Sequence, residues 1–314
     1  MAILKEYRED TRRKVELAKE LADKGEMQES LRLANEVLNE DFNDSIALFL
    51  CGYNMMKAER FGLAYNIFRR VSQLNPNRSE PWNNAGTCHQ ETWNLDDAET
   101  CFRKALQIEP DSVAAMQNMA LIAVNRCQPE EALRWTKLAE KHEPSWEALD
   151  NKALALLMKR DWKAGWALYR KTAGRQKQRE LRSFGDNEPM WSGEPGKVVI
   201  YATQGIGDEI GFSSVVPDAA KKANVILECD HRLEGLFRRS FECEVHGTRF
   251  KDATWNTGCD YSIPVDCLPQ LFRNSSEDYP GTAYLKADPE RRLQWKALLQ
   301  SYGKPAIGIT WTGG

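Results

Sequence analysis

Residues 79–112 read SEPWNNAGTCHQETWNLDDAETCFRKALQIEPDS and are one copy of a pattern that returns every 34 residues. Three prolines share one column of this pattern: Pro76, Pro110 and Pro144. Two further columns hold only small residues, namely Gly52, Gly86 and Ala120 in one and Ala64, Ala98 and Ala132 in the other. Small side chains let two antiparallel helices approach closely, and a proline after the second helix ends it. The pattern therefore predicts a row of helical hairpins.

Large residues recur at two other columns, one with Leu48, Trp82 and Met116 and one with Phe68 and Phe102. We expect these side chains to fill the space between repeats. Together the columns resemble the tetratricopeptide repeat (TPR). The resemblance predicts a TPR array over residues 1–180, with units at 11–44, 45–78, 79–112, 113–146 and 147–180. The first unit is weak and the fifth is degenerate, because Trp166 stands where a small residue belongs; atypical end units are expected, since a terminal repeat lacks one neighbour.

The first helices of these units carry a row of amide side chains: Asn83, Asn84, Gln117, Asn118 and Asn151. The TPR resemblance implies a groove lined by first-helix residues that holds a protein or peptide partner. The row is also similar to the asparagine ladder of TPR-bearing protein O-GlcNAc transferases, which implies contact with a peptide backbone. Asn is equally common at this column in ordinary repeats, where it faces water. Leu50 occupies the matching place in the second unit, so the ladder would be short.

Residues 162–196 join the repeats to a different kind of sequence. Trp162, Trp166 and Tyr169 have the spacing of one helix face, which predicts an aromatic surface that packs against the C-terminal half of the chain. Residues 170–182 contain six basic side chains and a single acid, Glu180. Such a run either attracts an acidic or phosphate-bearing partner or is the solvated face of a helix. Glycines and prolines then predict a linker at 181–196.

From Lys197 onward, short apolar runs alternate with helix-like segments. Strands are predicted at 198–202 and 225–229, with weaker ones at 243–246 and 261–263. A helix interrupted by Pro217 follows the first strand, and another helix spans 232–241. This alternation predicts a parallel, Rossmann-like sheet in residues 197–303.

A glycine-rich turn, Gly205-Ile206-Gly207-Asp208-Glu209-Ile210-Gly211, follows the first predicted strand. It is one residue too long for a dinucleotide fingerprint, although Glu228 lies where the ribose-binding acid of a nicotinamide-cofactor site would be. In a purely structural interpretation the glycines make a tight turn and Asp208 caps the helix. Spacing alone leaves both interpretations open.

A known arrangement of segments resembles this sequence. The segments are the repeats, the aromatic segment, residues 191–195, the Gln204–Asp208 turn, and residues 280–285 and 307–313. They are similar to bacterial and phage TPR proteins with a GT-B domain related to glycosyltransferase family 9, which includes the heptosyltransferases. The resemblance implies an α-helical solenoid followed by the α/β Rossmann-like first lobe of a GT-B fold. It also implies inverting, metal-independent transfer of a sugar from a nucleotide-sugar donor.

The resemblance further implies roles for individual residues. Asp208 would be the general base, Glu209 a secondary candidate, and Gln204, Gly205 and Gly207 substrate-binding residues. Trp311, Thr312 and Gly313 would open the donor loop of a second lobe, of which residues 304–314 are the first strand. No metal and no tightly bound cofactor are expected, and the nucleotide sugar is expected only with that lobe. Without that lobe, this chain alone is expected to be inactive. The acceptor of the complete enzyme would be a protein or a glycan. The alternative is a non-catalytic TPR interaction module with an α/β appendage.

Composition and charge disfavour several other classes of protein. The chain has 314 residues with 43 Lys and Arg against 46 Asp and Glu, so a dedicated nucleic-acid binder is disfavoured. Its longest apolar runs are far below the roughly 20 residues of a spanning helix, and residues 1–6 lack a signal-peptide core. No membrane contact and a cytoplasmic location are expected. The eight cysteines form no Cys-x-x-Cys pair and the four histidines are scattered, so a zinc site is not expected.

Overall fold

The computed structural model describes residues 2–173, 181–184, 188–249 and 258–303, with side chains from residue 9 onward in these ranges. The chain divides into two compact units, Met1–Asn151 and Lys152–Gly314. The predicted strand at 304–314 lies outside the described residues.

In its described part, the first unit consists of helices and the turns between them. Their bounds are α1 Ala2–Asp23, α2 Met27–Glu40, α3 Ser45–Lys57, α4 Phe61–Leu74, α5 Glu80–Glu91, α6 Leu95–Ile108, α7 Val113–Asn125, α8 Pro129–His142 and α9 Trp146–Met158, the last of which crosses the boundary between the units. Each of α1 to α7 contacts the next helix, and α1, α3, α5 and α7 also contact one another in that order. We call the surface formed by α3, α5, α7 and the start of α9 the inner face. The predicted helical-hairpin solenoid is confirmed.

Glycine and phenylalanine explain why two helices of a hairpin pack so closely. A Cβ atom placed on Gly86 would lie 2.5 Å from Phe102 Cε1, and one on Gly52 would lie 2.9 Å from Phe68 Cε1. Both phenylalanine side chains are completely buried. Phe102 also packs with Met116 and other residues of the next repeat, as the column pattern predicted. Only a residue without a side chain leaves room for these rings.

The hairpin turns show where the repeat pattern changes. Gly25, Glu59, Trp93 and Cys127 follow each other at 34-residue intervals and all have positive φ, between 55° and 82°. The next such residue, Arg160, comes after only 33 residues. The fifth hairpin is therefore one residue short. The close-approach position in it falls on Gly165, where a Cβ atom would lie 2.6 Å from Leu157 Cδ2. The assignment of Trp166 to that column was wrong.

Trp93 lies in its turn with a φ of 60°. The residue is 72% exposed, so little packing compensates for this backbone conformation. The left-handed conformation costs about 1–2 kcal/mol in an L-residue with a side chain and little in glycine. We expect Trp93→Gly to raise the free energy of unfolding by about 0.5–1 kcal/mol, measured by urea denaturation. Gly25→Ala, at the same position of the first hairpin with φ of 82°, should lower it by a similar amount. Equal stability of Trp93→Gly and the original chain would contradict this account.

The second unit combines helices with a small sheet. Its elements are α10 Trp162–Lys171, β1 Lys197–Tyr201, α11 Ile206–Phe212, α12 Val216–Ala220, β2 Asn224–Glu228, α13 Glu234–Ser240, β3 Glu244–His246, β4 Tyr261–Pro264, α14 Pro269–Phe272 and α15 Pro289–Ser301. Within the described residues the sheet has four strands in the order β3-β2-β1-β4, and every pair is parallel. Val198 of β1 is paired with Val225 of β2 and Tyr261 of β4. The four strands predicted within residues 197–303 are confirmed, and the sheet is compatible with the predicted α/β part.

Both faces of β1 are buried, as expected for a parallel sheet covered on its two sides. Val198 and Ile200 point into one apolar cluster, which also contains Trp191. Val199 and Tyr201 belong to a second cluster with Phe184. Phe184 and Trp191 come from the predicted linker at 181–196. The described part of that segment therefore packs with the sheet.

Candidate functional site

The aromatic face of α10 packs against the α/β elements of the same unit. The indole N–H of Trp162 donates to Ser276 Oγ, and that of Trp166 donates to the hydroxyl of Tyr279, both at 3.0 Å. The ring of Tyr169 lies 6.3 Å from that of Phe212 between centroids. This confirms the predicted role of the aromatic residues of 162–169 as a packing surface.

Gln204 connects α10 with the ends of the neighbouring strands β1 and β4. It follows β1, and its side-chain nitrogen donates to the hydroxyl of Tyr169 and to Asp266 Oδ2, both at 2.8 Å. Asp266 follows β4, so these contacts lie at the carboxyl ends of neighbouring parallel strands. Ligands of open α/β sheets bind at this edge where the strand order reverses. Both donors of the Gln204 amide are used inside the protein, which leaves only its oxygen for the predicted substrate contact.

A cavity of about 270 Å³ lies beside the turn that follows β1. It is lined by Trp166, Gly207, Asp208, Gly211, Phe212, Ser214, Val215, Pro269, Arg273 and Tyr279. We call it the Asp208 cavity. Asp208 is exposed and lies in the first turn of α11, whose N-cap is Gly205, so the interpretation of Asp208 as the helix cap was wrong. Among the described residues, no hydrogen bond or ion pair engages its carboxylate.

Gly207 and Gly211 lie one helical turn apart on α11 and both line the Asp208 cavity. A Cβ atom added at either position would meet nothing within 4 Å, and neither residue has a positive φ. Neither close packing nor backbone conformation requires a glycine at these positions. Gly205, by contrast, would place a Cβ atom 3.5 Å from Asp208 Oδ2.

Glu209, the second predicted catalytic acid, is only 2% exposed. It forms an ion pair with Arg249 and accepts a hydrogen bond from the backbone N–H of Asp230 at 2.9 Å. Burial raises the pKa of Glu209 above its ordinary value despite these partners. The arrangement joins α11 to the loop after β2, and it does not bring the Glu209 carboxylate to the Asp208 cavity lining. We therefore keep Asp208 alone as the candidate acid.

Glu228 at the end of β2 is fully buried, and the Arg182 guanidinium donates to both of its oxygens, one of them at 2.8 Å. This pairing counts against Glu228 as a ribose-binding acid. At the other end of the basic run, Arg170 donates to Gln270 Oε1 at 2.9 Å and to the carbonyl of Trp191 at 2.8 Å. Both described ends of the run thus bind within the protein, while residues 174–180 lie outside the described residues.

The amide row lies on the inner face and links successive first helices. Asn118 of α7 donates to Asn83 Oδ1 of α5 at 2.9 Å, and Asn151 of α9 donates to the carbonyl of Gln117 at 3.3 Å. The Gln117 side chain donates to Ser145 Oγ at 2.6 Å. Asn84 is half-buried, and no side-chain hydrogen bond engages it within the described part of the chain. The sequence pattern located the row but did not show that its members bond to each other.

The remaining predictions concern the donor loop, metal sites, membrane-spanning helices and the cysteines. Trp311, Thr312 and Gly313 lie outside the described residues. In the described ranges, no group of three or more His, Cys, Asp or Glu side chains could hold a metal ion. Within the same ranges, no helix has the length and apolar character that crossing a membrane requires. All eight cysteines are described, and no disulfide joins them.

Comparison with known proteins agrees with the repeat. The tetratricopeptide repeat family matches residues 79–112. Protein FlbA of Caulobacter vibrioides is 28% identical over 274 residues, which cover 79% of this chain and 46% of that protein. The E3 ubiquitin-protein ligase CHIP of Arabidopsis thaliana is 36% identical over 73 residues, 23% of this chain and 26% of that protein. The chain thus spans less than half the length of these curated relatives.

A solved structure of pilF from Pseudomonas aeruginosa aligns with a TM-score of 0.49 at 16% identity, covering 55% of this chain and 80% of that chain. Neither FlbA nor CHIP is described as a glycosyltransferase. The helical hairpins and the matched repeat agree with each other. The chain therefore contains a tetratricopeptide repeat within a helical solenoid, and a small parallel sheet follows the helices.

Proposed function

We propose that this protein is an interaction module whose inner face binds an extended segment of a partner protein. The observation that carries the proposal is the row of amide side chains on α5, α7 and α9. Side-chain amides can both donate to and accept from a peptide backbone. Asn84 is the member whose amide has no internal partner among the described residues, and it is half-buried. Such an amide is available to form a hydrogen bond with a ligand on the inner face.

The test is a peptide selected on residues 1–314 from a random displayed library and then titrated by isothermal calorimetry. Asn84→Ala is expected to weaken binding by about tenfold, since a lost hydrogen bond is worth about 0.5–1.5 kcal/mol and an unsatisfied backbone group adds to this. Gln107→Ala, an exposed amide on α6 of the same repeat, should leave the affinity unchanged. Two outcomes would count against the inner face as the binding surface. One is equal affinity of the peptide for the original chain, Asn84→Ala and Gln107→Ala; the other is a library from which no binding peptide can be selected.

We also propose, as a second candidate, that the Asp208 cavity is the acceptor side of an inverting glycosyltransferase of the family 9 type, as in bacterial and phage proteins of that kind. The specific observation in its favour is the Asp208 carboxylate, which is exposed, lines a cavity and has no ion pair within the described residues. A general base must reach the proton that it accepts. Here Asp208 would accept the proton of an acceptor hydroxyl as its oxygen attacks the sugar. The nucleotide-sugar donor would bind a second lobe, of which residues 304–314 would be the first strand.

Asp208→Asn keeps the shape of the side chain and removes its basicity. In a protein that contains both lobes, we expect this change to lower kcat for sugar transfer by at least about 100-fold with little change in KM for the acceptor. Asp111→Asn, which alters an exposed acid of the helical array, is the matched control. Unchanged turnover in Asp208→Asn would remove the catalytic assignment. Donor-dependent transfer by residues 1–314 alone would contradict the need for a second lobe.

A further inference from the structure

The last described helix, α15, is exposed over its whole length, from Pro289 to Ser301. We infer that its apolar face and the basic side chains beside that face form a docking surface for an acidic amphipathic helix of a partner protein. The inference goes beyond both proposed functions, because α15 is part of neither the inner face nor the Asp208 cavity lining. It involves no chemical step, so binding alone can test it.

Four large apolar residues lie on one side of α15. Their spacing is i, i+3, i+4 and i+7, which places them in a single stripe along a helix. Single exposed apolar residues are normal on a protein surface, whereas a continuous stripe of them marks a surface that another molecule covers. The four residues, each between 41% and 66% exposed, are Trp295, Leu298, Leu299 and Tyr302.

A basic groove of about 750 Å³ borders this stripe. The only acid in its described lining is Asp288, which is already engaged within the protein. The Asp288 carboxylate accepts from the backbone N–H of Arg291 at 3.0 Å and lies 4.0 Å from the guanidinium of Arg239. The basic side chains of the lining are Arg239, Arg291, Arg292 and Lys296. The last three form no ion pair with any described residue, so the groove carries uncompensated positive charge.

These charges decide the kind of occupant. Uncompensated cations beside an apolar face favour a partner that carries carboxylates at the facing positions. A second copy of this chain in a two-fold dimer would place the same basic groove opposite itself, which is unfavourable. A helix with apolar residues at the same spacing can pack along the stripe, and its acidic side chains can reach into the groove. A membrane surface has no such side chains to fill a groove.

The experiment is a selection of displayed helical peptides on residues 1–314. The library fixes Leu at i, i+3, i+4 and i+7 and randomises the other positions among Glu, Lys, Gln and Ala, and peptides that also bind Trp295→Ser are removed. We expect the recovered peptides to carry a net negative charge. In fluorescence anisotropy, they should bind the original chain at least about tenfold more tightly than the paired variant Arg292→Glu with Lys296→Glu. Added salt should reduce this difference.

Leu293→Ser is the matched control, because Leu293 lies on the opposite side of α15 and is 66% exposed. Its affinity for the peptides should equal that of the original chain, and so should that of Asn84→Ala, which separates this surface from the inner face. All the substituted residues of α15 are exposed, so the Tm of each variant should stay the same.

Three outcomes would overturn the inference. They are a selection that recovers no peptide, recovered peptides that are neutral or basic, and an affinity that Leu293→Ser lowers as much as the paired charge variant does. Sedimentation with phosphatidylserine and phosphatidylcholine vesicles, and sedimentation equilibrium of the chain alone, test the other occupants. Vesicle binding or dimer formation that Trp295→Ser abolishes, without any recovered peptide, would assign the face to a membrane or to a second copy.

Discussion

Phe102→Ala is expected to lower the free energy of unfolding by about 3–5 kcal/mol, because it removes a completely buried ring from between two repeats. Gly86→Ala should lower it by about 1–3 kcal/mol through the opposite defect, since the added Cβ atom would lie 2.5 Å from Phe102 Cε1. Urea denaturation followed by the helical circular dichroism signal measures both changes. The two residues belong to one contact, so their effects should not be independent.

A double-mutant cycle tests that coupling. Phe102→Leu shortens the side chain and makes room for a methyl group, so Gly86→Ala should be tolerated better in the Phe102→Leu background by at least about 0.5 kcal/mol. Gly62→Ala, in open space on α4, should be neutral or slightly stabilising. Strictly additive losses at positions 86 and 102 would contradict the role assigned to this pair.

Arg249→Met is expected to destabilise the second unit by about 3–5 kcal/mol, because it leaves the buried carboxylate of Glu209 without its cation. Burial already raises the pKa of Glu209, and the loss of Arg249 removes a charge that opposes this shift. When folding raises the pKa of an acid, that acid stabilises the folded state at pH values below the pKa that it has in the unfolded chain. This contribution to the free energy of unfolding is lost as the pH rises through the pKa that the acid has in the folded state. The defect of Arg249→Met should therefore be smaller at pH 5 than at pH 8.

The paired variant Glu209→Leu with Arg249→Met separates this structural role from a catalytic one. Replacing both partners of a buried ion pair by apolar residues is often neutral or stabilising. We expect the double variant to recover most of the stability lost in Arg249→Met, with chemical denaturation as the measurement. A double variant as unstable as Arg249→Met would show that the pair does more than compensate two charges.

Local patterns predicted much of this fold. The columns of glycine, alanine, phenylalanine and proline at 34-residue spacing correspond to the observed hairpins, because residues of one column occupy equivalent places in successive repeats, as Gly52 with Phe68 and Gly86 with Phe102 show. The one-residue shortening of the fifth hairpin was missed, since Trp166 and Gly165 are adjacent and only the turn at Arg160 shows which of them faces Leu157. The strands were predicted for a similar reason: their apolar runs are short, β-branched and bounded by turn residues.

The candidate site also has features that local sequence predicted and features that only the tertiary structure shows. Residue patterns were enough to establish the repeat, the order of strands and helices, and the positions of the amide row and the glycine turn, because these features depend on neighbours along the chain. The folded structure was needed to show that Glu209 and Glu228 are held by Arg249 and Arg182, and that Asp208 and Trp166 line the same cavity. Those partners lie tens of residues apart in sequence. Whether an acid is buried and paired or exposed depends on packing between distant elements, which no local pattern records.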